Sequence, residues 1–151
     1  MKNRIIKSGF SFAEIMVVIA IVAVLAAIAI PSMRAARLNA NESAARSMLQ
    51  TIANAYGSYA ANNNGNYPVV EADLLPPPTG TANPSYLNCP ADLAVCAYDG
   101  QTINGYAYSL PFGQTLTLSD VVTATPSSCN STGSMVYSII VINGTWNNSA
   151  C

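Results

Sequence analysis

The chain has 151 residues, enough for one domain with a modest core, and it is 51% hydrophobic but only 9% charged. It contains no His, which removes the commonest general base and the commonest metal ligand. Net charge is −1, but beyond residue 9 only Arg34, Arg37 and Arg46 stand against all seven acids, a net −4 that argues against a strong, general nucleic-acid surface and leaves room only for a local DNA contact.

Residues 1–9 (MKNRIIKSG) are short, basic and end in Gly. Nineteen residues without a charge follow, Ile15 to Met33, about the length that crosses a bilayer as a helix. Lys2, Arg4 and Lys7 before it place the N-terminus in the cytoplasm and the remainder outside. A conventional signal peptide is the plainer alternative, with Ala27-Ile28-Ala29 or Ala35-Ala36 as its only small-residue cleavage sites. Against it, the helical pattern runs straight on. Leu38, Ala45, Met48, Leu49, Ile52, Tyr56 and Tyr59 form one stripe; Asn39, Glu42, Ser43, Arg46, Gln50, Asn54 and Ser58 form the other. Glu42 and Arg46 are spaced i,i+4 in the favourable order. Asn62-Asn63-Asn64-Gly65 supplies the stop. The pattern predicts one helix from Ser11 to Ala61, on the order of 75 Å long, with a kink at Pro31.

After Tyr67-Pro68 the segment Glu71 to Leu75 predicts at most a turn of helix, and Pro76-Pro77-Pro78 a loop. Strand patterns follow at Tyr106 to Leu110, Thr115 to Thr125 and Met135 to Ile142. Asn143-Gly144 reads as a two-residue hairpin turn into Thr145-Trp146, and Asp99-Gly100 as a second turn. The expected fold is α+β, a long kinked N-terminal helix packed on a small antiparallel sheet. Its parts are a leader (1–9), an apolar half-helix (10–31), an amphipathic half-helix (32–61) and a β head (62–151).

All four cysteines, Cys89, Cys96, Cys129 and Cys151, lie in the C-terminal half. An even number beyond a membrane-directed segment reads as disulfides, and four Cys allow three pairings. Their spacings do not fit zinc knuckles. Asp92, Asp99 and Asp120 lack the spacing of a calcium loop. The sequons at Asn41, Asn130, Asn143 and Asn147 are what chance gives in a chain so rich in Asn, Ser and Thr. Tyr56, Tyr59, Tyr106 and Tyr108 read as core and sheet packing. No cofactor and no metal site are implied.

The stretch Gly9-Phe10-Ser11-Phe12-Ala13-Glu14, leading into an apolar helix that contains Pro31, resembles the N-terminus of type IV pilins and of the pseudopilins of type II secretion. The close likeness runs over roughly residues 7–60, including Ala36-Arg37-Leu38-Asn39-Ala40-Asn41-Glu42, and Asn64-Gly65-Asn66-Tyr67-Pro68 matches a recurring pattern at the helix exit. Ser11 and Phe12 stand where the family more often has Thr and Leu, and Ala13 replaces a larger apolar residue. The resemblance implies a prepilin peptidase that cuts between Gly9 and Phe10 and methylates the new amine of Phe10. It implies that Glu14 pairs with that amine on a neighbouring subunit and so sets axial register. It implies that the helix near Pro31 loses order during assembly. It favours Cys89–Cys96 and Cys129–Cys151 among the possible disulfides.

The implied partners are other copies of the chain in a helical filament, membrane lipid before assembly, and an inner-membrane assembly platform driven by a cytoplasmic ATPase. The precursor would sit in the inner membrane with its head in the periplasm, and the mature form in a surface pilus. A pseudopilin of a type II secretion system and a minor pilin for DNA uptake are the alternatives within the family. A membrane-tethered enzyme is the alternative from another class, and the chain offers it no His, nucleophile motif or paired acids.

Overall fold

The computed structural model describes residues 9–77, 80–82, 84–88, 97–113, 115–117 and 119–151. One helix, α1, runs unbroken from Phe12 to Asn62, a single residue displaced from the predicted bounds at each end. The chain divides into two units between Ala36 and Arg37. In the first, every described residue is exposed, including Ile19, Val24, Leu25 and Ile28.

In the second unit α1 turns amphipathic. Ala45, Leu49, Ile52, Ala53, Ala55, Tyr56 and Ala60 are buried, at the three- and four-residue spacing that puts them on one face. The helix ends where Asn64 takes a left-handed conformation (φ 56°) and the Gly65 N–H reaches back to the Ala60 carbonyl at 2.8 Å. That closes the last turn and satisfies a carbonyl the helix would otherwise orphan. A single 3-10 turn follows at Glu71–Asp73.

The sheet is a five-stranded antiparallel meander in the order β1-β2-β3-β4-β5. The strands are β1 Thr102–Ile103, β2 Tyr106–Ser109, β3 Val121–Pro126, β4 Met135–Ile140 and β5 Trp146–Ala150. Alternation along them buries Tyr106 and Tyr108, Val122 and Ala124, and Tyr137 and Ile139 on one face. These join Leu49, Ile52 and Tyr56 of α1 in a single hydrophobic core. The core also takes in Leu74, Leu75, Leu87 and Tyr98 from the connector. The coarse architecture is therefore α+β, a long helix with an antiparallel sheet, as the patterning predicts.

Three details depart from the expectation. The run 115–125 becomes a strand only from Val121. Before it, Asp120 Oδ2 accepts the Thr117 N–H at 2.6 Å, and the Asp120 N–H donates to the Thr117 carbonyl at 3.0 Å. This local turn takes backbone groups a ladder would need. The predicted two-residue turn at Asn143-Gly144 is a four-residue loop, Val141 to Gly144, closed by the Ile140 N–H on the Thr145 carbonyl at 2.9 Å. Val141 is drawn into the core, which lengthens the loop, and Gly144 supplies the positive φ of 68° at its end. A true two-residue hairpin lies elsewhere: Asn104 and Gly105, at φ 50° and 79°, join β1 to β2. Asp99-Gly100 is a turn as predicted, with the Gln101 N–H on the Tyr98 carbonyl at 3.1 Å.

Candidate functional site

The residues singled out at the N-terminus are Gly9, Phe10 and Glu14. Gly9 and Phe10 precede α1 as exposed, non-helical chain, with Phe10 83% exposed. An exposed, non-helical peptide bond flanked by Gly is one a protease can take hold of. Glu14 lies in the first turn of α1. Its Oε2 accepts the Ser11 N–H at 2.8 Å, while Ser11 Oγ accepts the Ala13 N–H at 3.3 Å. Glu14 thus supplies the carboxylate half of a capping box by reaching back to the Ser11 N–H, while the Ser11 hydroxyl caps the neighbouring Ala13 N–H. The S-x-x-E spacing was the signal for this, and reading Ser11 only against the family pattern passes over it. Among the described residues Glu14 Oε1 takes no hydrogen bond, so one carboxylate oxygen holds the helix start and the other faces outward.

The helix behind this cap has the length and composition to cross a membrane. Ten Val, Ile and Leu residues between Ile15 and Ile30 favour insertion by about 3–6 kcal/mol in total. A carboxylate at mid-bilayer opposes this by about 2.5–3.5 kcal/mol, and Glu14, at the edge of the run, by less. The apolar terms win even with Glu14 unpaired. Pro31 lies inside α1 without ending it. It withholds the N–H that the Ala27 carbonyl would accept, and next to it Ser32 Oγ donates to the Ala29 carbonyl at 3.1 Å.

In the head unit, polar groups of α1 fasten the start of β4. Glu42 accepts three hydrogen bonds: Ser134 N–H at 2.9 Å, Ser134 Oγ at 2.6 Å and Tyr137 Oη at 3.0 Å. The two Ser134 bonds lead in holding its carboxyl below the usual range, and the Arg46 charge adds to them. Arg46 donates to Tyr137 Oη at 3.1 Å and stacks over the Tyr137 ring, 4.5 Å from its centroid. The i,i+4 pair expected of Glu42 and Arg46 is thus bridged through the Tyr137 hydroxyl. Asn41 Nδ2 adds a bond to the Thr132 carbonyl at 2.9 Å.

Asp73, Asp99 and Glu71 are spent on loop backbone. Asp73 accepts Val69 and Val70 N–H, and Asp99 accepts Leu110 N–H at 2.8 Å. Glu71 accepts the Tyr98 and Asp99 N–H groups. Among the described residues no His, Cys, Asp or Glu cluster suits a metal. Cys129 and Cys151 form a disulfide, with Cα atoms 5.9 Å apart. It ties the chain end to the β3–β4 connection, where the Cys151 N–H also donates to the Ser134 carbonyl at 3.1 Å. The expected partner bridge, Cys89–Cys96, lies outside the described residues. The structure therefore gathers Gly9, Phe10 and Glu14 at one helix start, Pro31 along that helix, and Cys129 with Cys151 in the head. No protein-family model, curated protein or solved structure matches the chain.

Proposed function

We propose that this chain is the precursor of a pilin-like filament subunit, cleaved between Gly9 and Phe10 and assembled through its apolar half-helix. The observation that carries the reading is the combination at the start of α1. A nineteen-residue uncharged helical run is exposed along its length, and one carboxylate, Glu14, directly precedes it, one turn from the bond to be cut. An apolar helix exposed on all sides needs either lipid or copies of itself, and lateral transfer from one to the other keeps that surface covered.

Cleavage gives Phe10 a positive amine. Glu14 has one oxygen on the Ser11 N–H and one to spare, so it can keep its helix cap while it receives the amine of a neighbouring subunit. In a dry bundle each charge alone is costly, and only the correct axial register pairs them. The peptidase and the ATPase-driven platform are partners this reading requires. We favour a surface pilus over a secretion pseudopilus because Cys129–Cys151 locks the segment after β5 to the β3–β4 connection, which suits an exposed head.

Mass spectrometry of the mature protein tests the processing step. An N-terminus at methylated Phe10 is expected. A start near Ala29 or Ala36, or an intact leader, overturns the reading. Deleting the gene separates the machines: loss of surface fibres supports a pilus, and loss of protein secretion with fibres intact a pseudopilus.

A further inference from the structure

The outermost strand carries an open cavity that the filament reading does not use. Register places Trp146 opposite Ile139 and Asn148 opposite Tyr137. Trp146 and Asn148 therefore stand on the face whose β4 residues are in the core. Yet all five residues of β5 are exposed, and Trp146, the only Trp of the chain, is 40% exposed. Between Arg46, Tyr137, Trp146, Asn147 and Asn148 lies an open cavity of about 260 Å³.

Its chemistry is selective. Stacking on Tyr137 and the bond to Tyr137 Oη fix the plane of the Arg46 guanidinium while engaging one of its five N–H donors. A planar fork held this way suits a carboxylate. Glu42, one turn earlier, is occupied by Ser134 and Tyr137. The side-chain amide of Asn148, on the same face as Trp146, takes no hydrogen bond among the described residues and offers donors and an acceptor to paired hydroxyls. The Trp146 ring gives a flat apolar wall. The volume lies below the range of drug-sized pockets, which points to a single small ring. The acidic balance beyond residue 9 disfavours a polyanion.

We propose that this cavity binds one carboxylated monosaccharide unit, such as a terminal uronate of a glycan, with its carboxylate on Arg46, its apolar face on Trp146 and its hydroxyls on Asn148. The site does not depend on the chain forming filaments.

The single Trp makes the test direct. The full chain, in a detergent without a sugar headgroup, is titrated with methyl glucuronide while Trp146 fluorescence is followed. A saturable change with Kd on the order of 1 mM is expected for a ligand of this size. Methyl glucoside, which lacks the carboxylate, should bind about tenfold more weakly or worse. Arg46→Gln should lose the preference for the uronate. Because that change also removes a contact with Tyr137, Asn148→Asp serves as the second variant: it sets a like charge in an exposed position and should weaken the uronate about tenfold with the fold intact by circular dichroism. No saturable change, an equal response to methyl glucoside, or the same response to acetate or a dipeptide carboxylate overturns the proposal.

Discussion

Replacing Glu42 with Ala removes three hydrogen bonds that join α1 to the start of β4, two from Ser134 and one from Tyr137. Bonds to an ionised acceptor contribute about 1.5–3 kcal/mol each when buried. Glu42 is only half-buried, so water replaces part of what is lost, and about 2 kcal/mol in total is expected. For a unit of this size that lowers Tm by roughly 8 °C. Tyr137→Phe keeps the ring under Arg46 and deletes only the hydroxyl, at about 1 kcal/mol. The two changes share one bond, so the double variant should lose about 0.5–1 kcal/mol less than the sum. Thermal unfolding of the full chain in micelles reads all three. There is also a pH signature. The folded Glu42 carboxyl lies below its ordinary value, so its stabilisation is present above the unfolded pKa and disappears as pH falls through the folded one. Glu42→Gln should lack that part of the acid limb. An unchanged Tm in Glu42→Ala, or strict additivity in the double variant, would refute the anchoring role.

Three further outcomes follow from the head. Cys151→Ser opens a loop of sequence separation 22 and should cost about 3 kcal/mol, with hydrogen exchange rising first along β5. Burial pushes the Tyr106 and Tyr108 hydroxyls up to about 12 and Tyr56 higher still. Their contribution is intact below the ordinary tyrosine value near 10 and is lost as pH climbs through about 12, so near-ultraviolet dichroism and phenolate absorbance should change together there; full titration of every tyrosine near 10 in the folded protein contradicts the packing. A Cβ at Gly133 would come within 1.9 Å of Tyr106 Oη, so Gly133→Ala should destabilise by about 1–3 kcal/mol in chemical denaturation, and Tyr106→Phe in the same chain should recover part of the loss.

What could be read from the chain was whatever is local and periodic. The bounds of α1 follow from an apolar run, a stripe and an Asn-Gly stop, all near each other in sequence. The strands at Tyr106 and Met135 follow from alternation and β-branched residues. Thr115 to Thr117 look like strand by composition, but Asp120 captures the backbone of Thr117, and propensity does not register such competition. Asn104-Gly105 was a legible hairpin signal set between Ile103 and Tyr106, yet a two-residue β1 is too short to show a pattern of its own. The Cys129–Cys151 bond is among the pairings the resemblance favours. Partners far apart in sequence were invisible. Ser134 lies 92 positions from Glu42, and nothing in either segment names the other. The same distance hides the cavity beside Trp146, whose lining comes from α1, β4 and β5.

The meander order has a consequence for how the head is made. Every strand after β1 pairs with the one just before it, so each hairpin can close as soon as its second strand has been made, without waiting for a distant segment. The exception is the last step. Cys151 directly follows β5, and its partner sits before β4, so the covalent clasp forms only once β5 has been made and has met an oxidant. Oxidation and completion of the sheet thus become one event. A head not yet oxidised carries a recognisable mark of its immaturity, a frayed fifth strand with a free thiol beside it.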